Sequence, residues 1–119
     1  MKSHQLGKEG EAYAREFLLA QGYVLLAENY RTKFGEIDMI AREGEVVVFI
    51  EVKTRQEDGW DAFEAVDKRK QVKIRRVAQQ FLIETFGTED VSARFDVLAV
   101  RANESGALEG DLLKDAFGI

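Results

Sequence analysis

Two short stretches place charged side chains where a strand ought to be apolar. "GEID" spans residues 35–38, and "EVK" spans residues 51–53 within the run "EVVVFIEVKTR". Carboxylates in such positions suit the binding of a hard divalent cation, and a lysine beside them can hold a water molecule or stabilise charge that develops on a phosphate. Side chains alternate along a strand, so Glu51, Lys53 and Arg55 share one face, as do Glu36 and Asp38 on the strand before. With Glu43 and Gly44 as a two-residue hairpin loop, Arg42 pairs with Glu45, Asp38 falls opposite Phe49, and Glu36 falls opposite Glu51. Both sets then lie on the same face of adjacent strands, with Asp38 diagonal to Glu51. A slip of one residue would send them to opposite faces. Three carboxylates this close repel one another. Mg²⁺ or Mn²⁺, held by two of them with a backbone carbonyl and waters, gives a reason to keep them, and the elements then match metal-assisted phosphodiester hydrolysis. The bland alternative is a solvated cluster with a cross-strand Lys–Glu ion pair. For "GEID" and "EVK" together at hairpin spacing, a site is the better reading.

The elements that must position these residues are legible from periodicity and punctuation. "SHQLGKEGEAYAREFLLAQG" reads as a helix that Ser3 can cap and Gly22 can end. Leu6, Tyr13, Ala14, Phe17 and Leu18 share one of its faces, with Gly7 and Gly10 there too, where they would let a neighbour approach closely. Glu11 falls about 20° from Leu18, at the border of the apolar face. Strands are predicted over 23–31, 35–42, 45–55 and 93–101. A second helix, "KRKQVKIRRVAQQFLIETF", is capped by Asp67 and ended by Gly87. Lys70 lies within about 40° of Val77 and Ile74, inside the apolar arc, which suits a snorkelling stem as well as a functional amine. The tail reads as a turn, a short edge strand near 107–113 and an anchor at Ala116 and Phe117. The order is α-β-β-β-α-β. The second helix is a crossover long enough to make strands three and four parallel neighbours. The fold class is therefore α/β, a mixed sheet flanked by helices.

With 119 residues, a single domain over 1–119 is expected. The longest strictly apolar run, Val46 to Ile50, is far too short to cross a membrane, and the polar N-terminal stretch lacks the apolar core of a secretion signal. Cysteine is absent, which excludes disulfides and thiolate metal sites and fits a cytoplasmic protein. The single histidine excludes a multi-histidine metal centre. The net charge of −5 argues against binding nucleic acid through charge alone, yet "KRKQVKIRR", Lys68 to Arg76, concentrates six basic residues. These read most simply as a solvated helix face able to bind phosphates weakly. His4 carries little information. Trp60 suits a core plug or, less often, a stacking surface. Asp96, polar in an apolar strand, is expected to pair with Arg94 in a structural role.

"GEID" followed by "EVK" resembles the PD-(D/E)XK nuclease superfamily. Gly10-Glu11, Asn29-Tyr30-Arg31, "GEIDMIA", "VVVFIEVKTR", Lys70, "RFDVLAV" and "LLKDAF" together resemble the YraN-like family of small bacterial proteins, over nearly the whole chain. That family is similar to archaeal Holliday-junction resolvases. The resemblance implies a restriction-endonuclease-like core and a Mg²⁺- or Mn²⁺-dependent endonuclease acting on DNA, including branched or damaged DNA. Carried over position by position, it implies Glu11, Asp38, Glu51 and Lys53 as the catalytic set, with Asp38, Glu51 and Glu11 toward the metal. Arg31, Glu36 and Lys70 match the YraN-like pattern. Arg31, Arg55 and Lys70 are the candidates for nucleic-acid contact and Glu36 is an accessory acid. Loop 56–63 departs most from the family pattern. Cutting both strands of one junction would take two copies, hence a homodimer. The competing expectation is a nuclease-like module that binds nucleic acid or protein without cutting.

Overall fold

The computed structural model describes residues 3–55 and 67–117. Its elements run α1 (Ser3–Ala20), β1 (Val24–Thr32), β2 (Gly35–Glu43), β3 (Val46–Arg55), α2 (Lys68–Phe86), β4 (Ala93–Ala102) and β5 (Leu108–Phe117). The five strands form one sheet in the order β1-β2-β3-β4-β5. β3 and β4 are parallel, joined through α2, and the other neighbours are antiparallel. This is the mixed α/β sheet expected. The tail differs: β5 is a full edge strand reaching Phe117, where only a short strand near 107–113 was anticipated. Left-handed Asp115 (φ 53) carries the chain through a bulge opposite Asp96, so that Phe117 can stack on Phe95.

Each helix covers one face. α1 packs Ala14 and Leu18 on Val48, Ile50, Leu98 and Val100. Gly10 is the contact that needs glycine, because a Cβ there would collide with the Thr54 methyl on β3. Gly22, at φ 89, ends the helix, with the Tyr23 N–H donating to Leu18 O and the Gly22 N–H to Leu19 O, a Schellman arrangement. On the other face α2 buries Ile74, Val77, Ala78, Phe81 and Leu82 against Ile40, Val47, Phe49, Phe95 and Val97. Asp67 caps it, its carboxylate accepting the Lys70 N–H at 2.9 Å.

The β2–β3 hairpin corrects one expectation. Its loop is Gly44 and Glu45, since Glu43 pairs with Val46 and Met39 with Ile50. Gly44 takes φ 59 at the first loop position, where a II′ turn wants glycine. The anticipated turn had it at the second. The pairing moves by two residues, so each side chain keeps its face, and Asp38 falls level with Glu51, not with Phe49.

Candidate carboxylate–lysine site

β2 and β3 part company just beyond the Met39–Ile50 pair, while β3 stays paired with β4 as far as Arg55. β2 also turns over here. Ile37 and Ile40 both pack on the α2 side, although an odd separation should alternate them, and Met39 between them packs on the α1 side. On β1, Asn29 lies between the pairs Glu28–Met39 and Tyr30–Ile37 and takes a left-handed φ of 52, so the irregularity spans both strands. Asp38 sits at this point. Its Oδ2 accepts the Val52 N–H at 2.8 Å, standing in for the β2 carbonyl that a continuing ladder would offer.

Glu51 is among the few buried charged residues, its side chain 6% exposed. A carboxylate so deep must be compensated, and two lysines do this. Lys70 Nζ from the first turn of α2 lies 3.0 Å from Glu51 Oε2, and Lys53 Nζ lies 3.7 Å from the same oxygen. Burial, then the charge of Glu51, pushes the Asp38 carboxyl up to about 6, against the restraining Val52 N–H and the lysines. Lys53 is held below the ordinary lysine value by burial and by the neighbouring Lys70. Burial works against charge on Lys70 too, but its contacts with Lys53 and Glu51 outweigh it and hold the ammonium above the ordinary value. The cluster thus offers hard oxygen donors, a carboxyl pushed up to about 6 and a lysine held below its ordinary value.

Of the residues expected here, the structure brings together Asp38, Glu51, Lys53 and Lys70. Glu11 is half-buried on α1, one residue beyond the Gly10 contact with Thr54. No group of three or more acids, histidines or cysteines is gathered for a metal ion among the described residues, so Glu11 does not close a three-acid set with Asp38 and Glu51. Glu36 and Arg31 pair with each other across β1 and β2 at 3.4 Å, Arg31 largely in solvent. Arg55 ends β3, with its side chain outside the described set, as is that of His4. Trp60 and loop 56–63 lie outside the described residues. Asp96 is structural, as expected: fully buried, it accepts from Arg94, from the Tyr23 hydroxyl and from the Asp115 N–H. Sequence reasoning missed two things. The bond from Val52 to Asp38 depends on the parting of two strands and leaves no trace in side-chain periodicity. The stripe Arg69, Lys73 and Arg76 does: its i, i+4, i+7 spacing was readable as a single helix face.

Asp38 and Glu51 make a fitting half-shell for Mg²⁺ or Mn²⁺ by the chemistry of the donor set. Both are hard oxygen donors, and the upward shift of Asp38 under the charge of Glu51 marks a pair that a divalent cation would stabilise.

A five-stranded mixed sheet between two helices, opened between β2 and β3 over a part-buried Asp38 and a buried Glu51 with two lysines, defines an α/β domain with a carboxylate–lysine centre. Residues 10–100 match the family described as "Uncharacterised protein family UPF0102", and the chain belongs to that family. A UPF0102 protein of Pseudomonas savastanoi pv. phaseolicola is 40% identical over 114 residues, covering 95% of this chain and 93% of the relative. One from Symbiobacterium thermophilum is 42% identical over 116 residues, covering 97% and 98%. One from Caldicellulosiruptor saccharolyticus is 41% identical, covering 98% and 100%. No helix among the described residues is long and apolar enough to cross a membrane.

Proposed function

We propose that the protein is a divalent-metal-dependent endonuclease of the PD-(D/E)XK type, hydrolysing phosphodiester bonds in DNA, including branched or damaged DNA, in the cytoplasm. The observation that carries this reading is the part-buried Asp38 beside the buried Glu51, with Lys53 and Lys70 against Glu51. Asp38 and Glu51 would hold Mg²⁺ or Mn²⁺, with Glu11 orienting the shell from α1. The bound ion would polarise a phosphoryl oxygen and acidify a water. Lys53, with its lowered pKa, would position that water and donate to the charge developing on phosphate. Arg55, Arg31 and Lys70 would contact the nucleic acid, with Glu36 holding Arg31. A homodimer would bring two centres to one junction.

A second reading has its own observation. Lys70 already neutralises Glu51 at 3.0 Å, and no third acid joins the pair among the described residues, as befits a nuclease-like module that binds without cutting. A panel of labelled DNA and RNA, including four-way junctions and flaps, incubated with Mg²⁺ or Mn²⁺, separates the two. Cleavage of one class of substrate supports the nuclease. Binding without cleavage of any supports the module.

A further inference from the structure

Next to the acid pair, the surface between α2 and the β1–β2 turn is a trench with an unbalanced charge. One part, of 370 Å³, is lined by Gly35, Glu36, Asp67, Lys70 and Ile74 among others. A second, of 510 Å³, is lined by Lys33, Phe34, Val72 and Arg76. Arg69 and Lys73 line both, so the two are continuous, and Lys70 joins the trench to Glu51. Two acids, Glu36 and Asp67, line the first part, and each has a partner. Asp67 accepts the Lys70 N–H as helix cap, and Glu36 pairs with Arg31. Phe34, at the hairpin tip, has Lys33 Nζ at 5.3 Å and Arg76 at 5.5 Å from its ring centroid, which holds cations from both walls over one ring.

This concentration of charge costs free energy where it stands. Arg69, Lys73 and Arg76 repeat along one face, where like charges at i, i+4 repel by a few tenths of a kcal/mol. An anion running along the trench would relieve this repulsion. From Arg69 to Arg76 is about 10 Å of helix, enough to follow consecutive phosphates of one strand.

We propose that this trench binds the phosphodiester backbone of one nucleic-acid strand, with Arg69, Lys73 and Arg76 on one wall and Lys33 on the other, and leads it to the acid pair. The proposal rests on the nucleic-acid reading of that pair but not on its cleaving. A chain of net charge −5 can hold a polyanion in this way because Lys33, Arg69, Lys70, Lys73 and Arg76 outnumber the acids Glu36 and Asp67 in the trench lining.

The test is equilibrium binding of a fluorescent single strand, by anisotropy, in EDTA so that no cleavage occurs. Arg69→Gln and Lys73→Gln should each weaken binding about fivefold at 0.1 M salt and flatten the salt dependence by about 0.7 in log–log slope. Lys33→Gln, on the exposed turn, tests the opposite wall without touching the helix, and Arg69→Lys should restore binding. Arg42→Gln, beside the β2–β3 turn, should change nothing. Thermal melts identify any variant that has lost its fold. Binding by the parent that is unaltered in all three neutralised variants overturns the trench, as does absence of binding by the parent. Binding that follows the prediction in a parent that never cuts upholds the trench and removes only the nuclease.

Discussion

The carboxylate of Asp38 accepts the backbone N–H of Val52 at 2.8 Å, one residue past Glu51 and where β2 and β3 have ceased to pair. A side chain thus replaces a ladder carbonyl, and the replacement turns an opening in the sheet into an acid pair. The bond also fixes which Asp38 oxygen is occupied and leaves the other for a cation or a proton.

That pair sets a pH dependence. Burial and Glu51 push the Asp38 carboxyl from 3.8 up to about 6. A carboxyl with a raised folded-state pKa binds its proton more tightly when folded, so its stabilising contribution is present below about pH 4 and lost as pH rises through about 6. In metal-free buffer, Asp38→Asn should be more stable than the parent at about pH 7.5, by about 1–3 kcal/mol, with the gap closing near pH 4. Urea unfolding at the two pH values measures it. A variant less stable at neutral pH would show that the lysines already cancel the repulsion.

The docking of α1 makes a second prediction. Gly10→Ala would drive a Cβ into the Thr54 methyl. The clash costs about 1–3 kcal/mol, against about 1 kcal/mol gained in helix propensity, so a net loss of about 1 kcal/mol is expected. Thr54→Ser removes the methyl and should restore most of the loss in the double variant. Strict additivity of the two changes in a double-mutant cycle would mean that the residues do not touch.

On the α1 side of the sheet, in register with Ile50, Asp96 is fully buried among Arg94, Tyr23 and the Asp115 N–H, and Arg94 also reaches Glu43 at 2.8 Å. Asp96→Ala leaves several donors unanswered and should cost about 3–5 kcal/mol. Chemical denaturation reads this directly. A loss below about 1 kcal/mol would show that water replaces the carboxylate and that β5 does not depend on it.

The sequence carried much of this because its signals were redundant. Asp67 and Gly87 bounded α2 to the residue, and the β-branched run in β3 fixed the central strand. Asp38 and Glu51 were aligned through the wrong loop residues, yet the error was an even number, and a period of two preserves faces under an even shift as far as Met39; the turning over of β2 between Ile37 and Ile40 left no signal in the sequence pattern. β5 was cut short after 113, where the charged Lys114 and Asp115 interrupt the pattern before Ala116 and Phe117. An edge strand can keep such charges in solvent, and its regularity comes from β4 and from Tyr13, which packs against Gly110. The trench was set aside as a solvated face, since one helix cannot reveal that a hairpin tip lies opposite it.

The central claim is that Lys53 acts beside a cation-binding acid pair to hydrolyse a phosphodiester. Its most direct test is the single-turnover cleavage rate of a labelled DNA substrate with Mn²⁺, comparing the parent with Lys53→Ala. Lys70 stays 3.0 Å from Glu51 to answer its charge, so the substitution should leave the fold intact. The rate should fall by at least about 100-fold with DNA binding retained. A folded Lys53→Ala protein that cuts as fast as the parent would contradict the account.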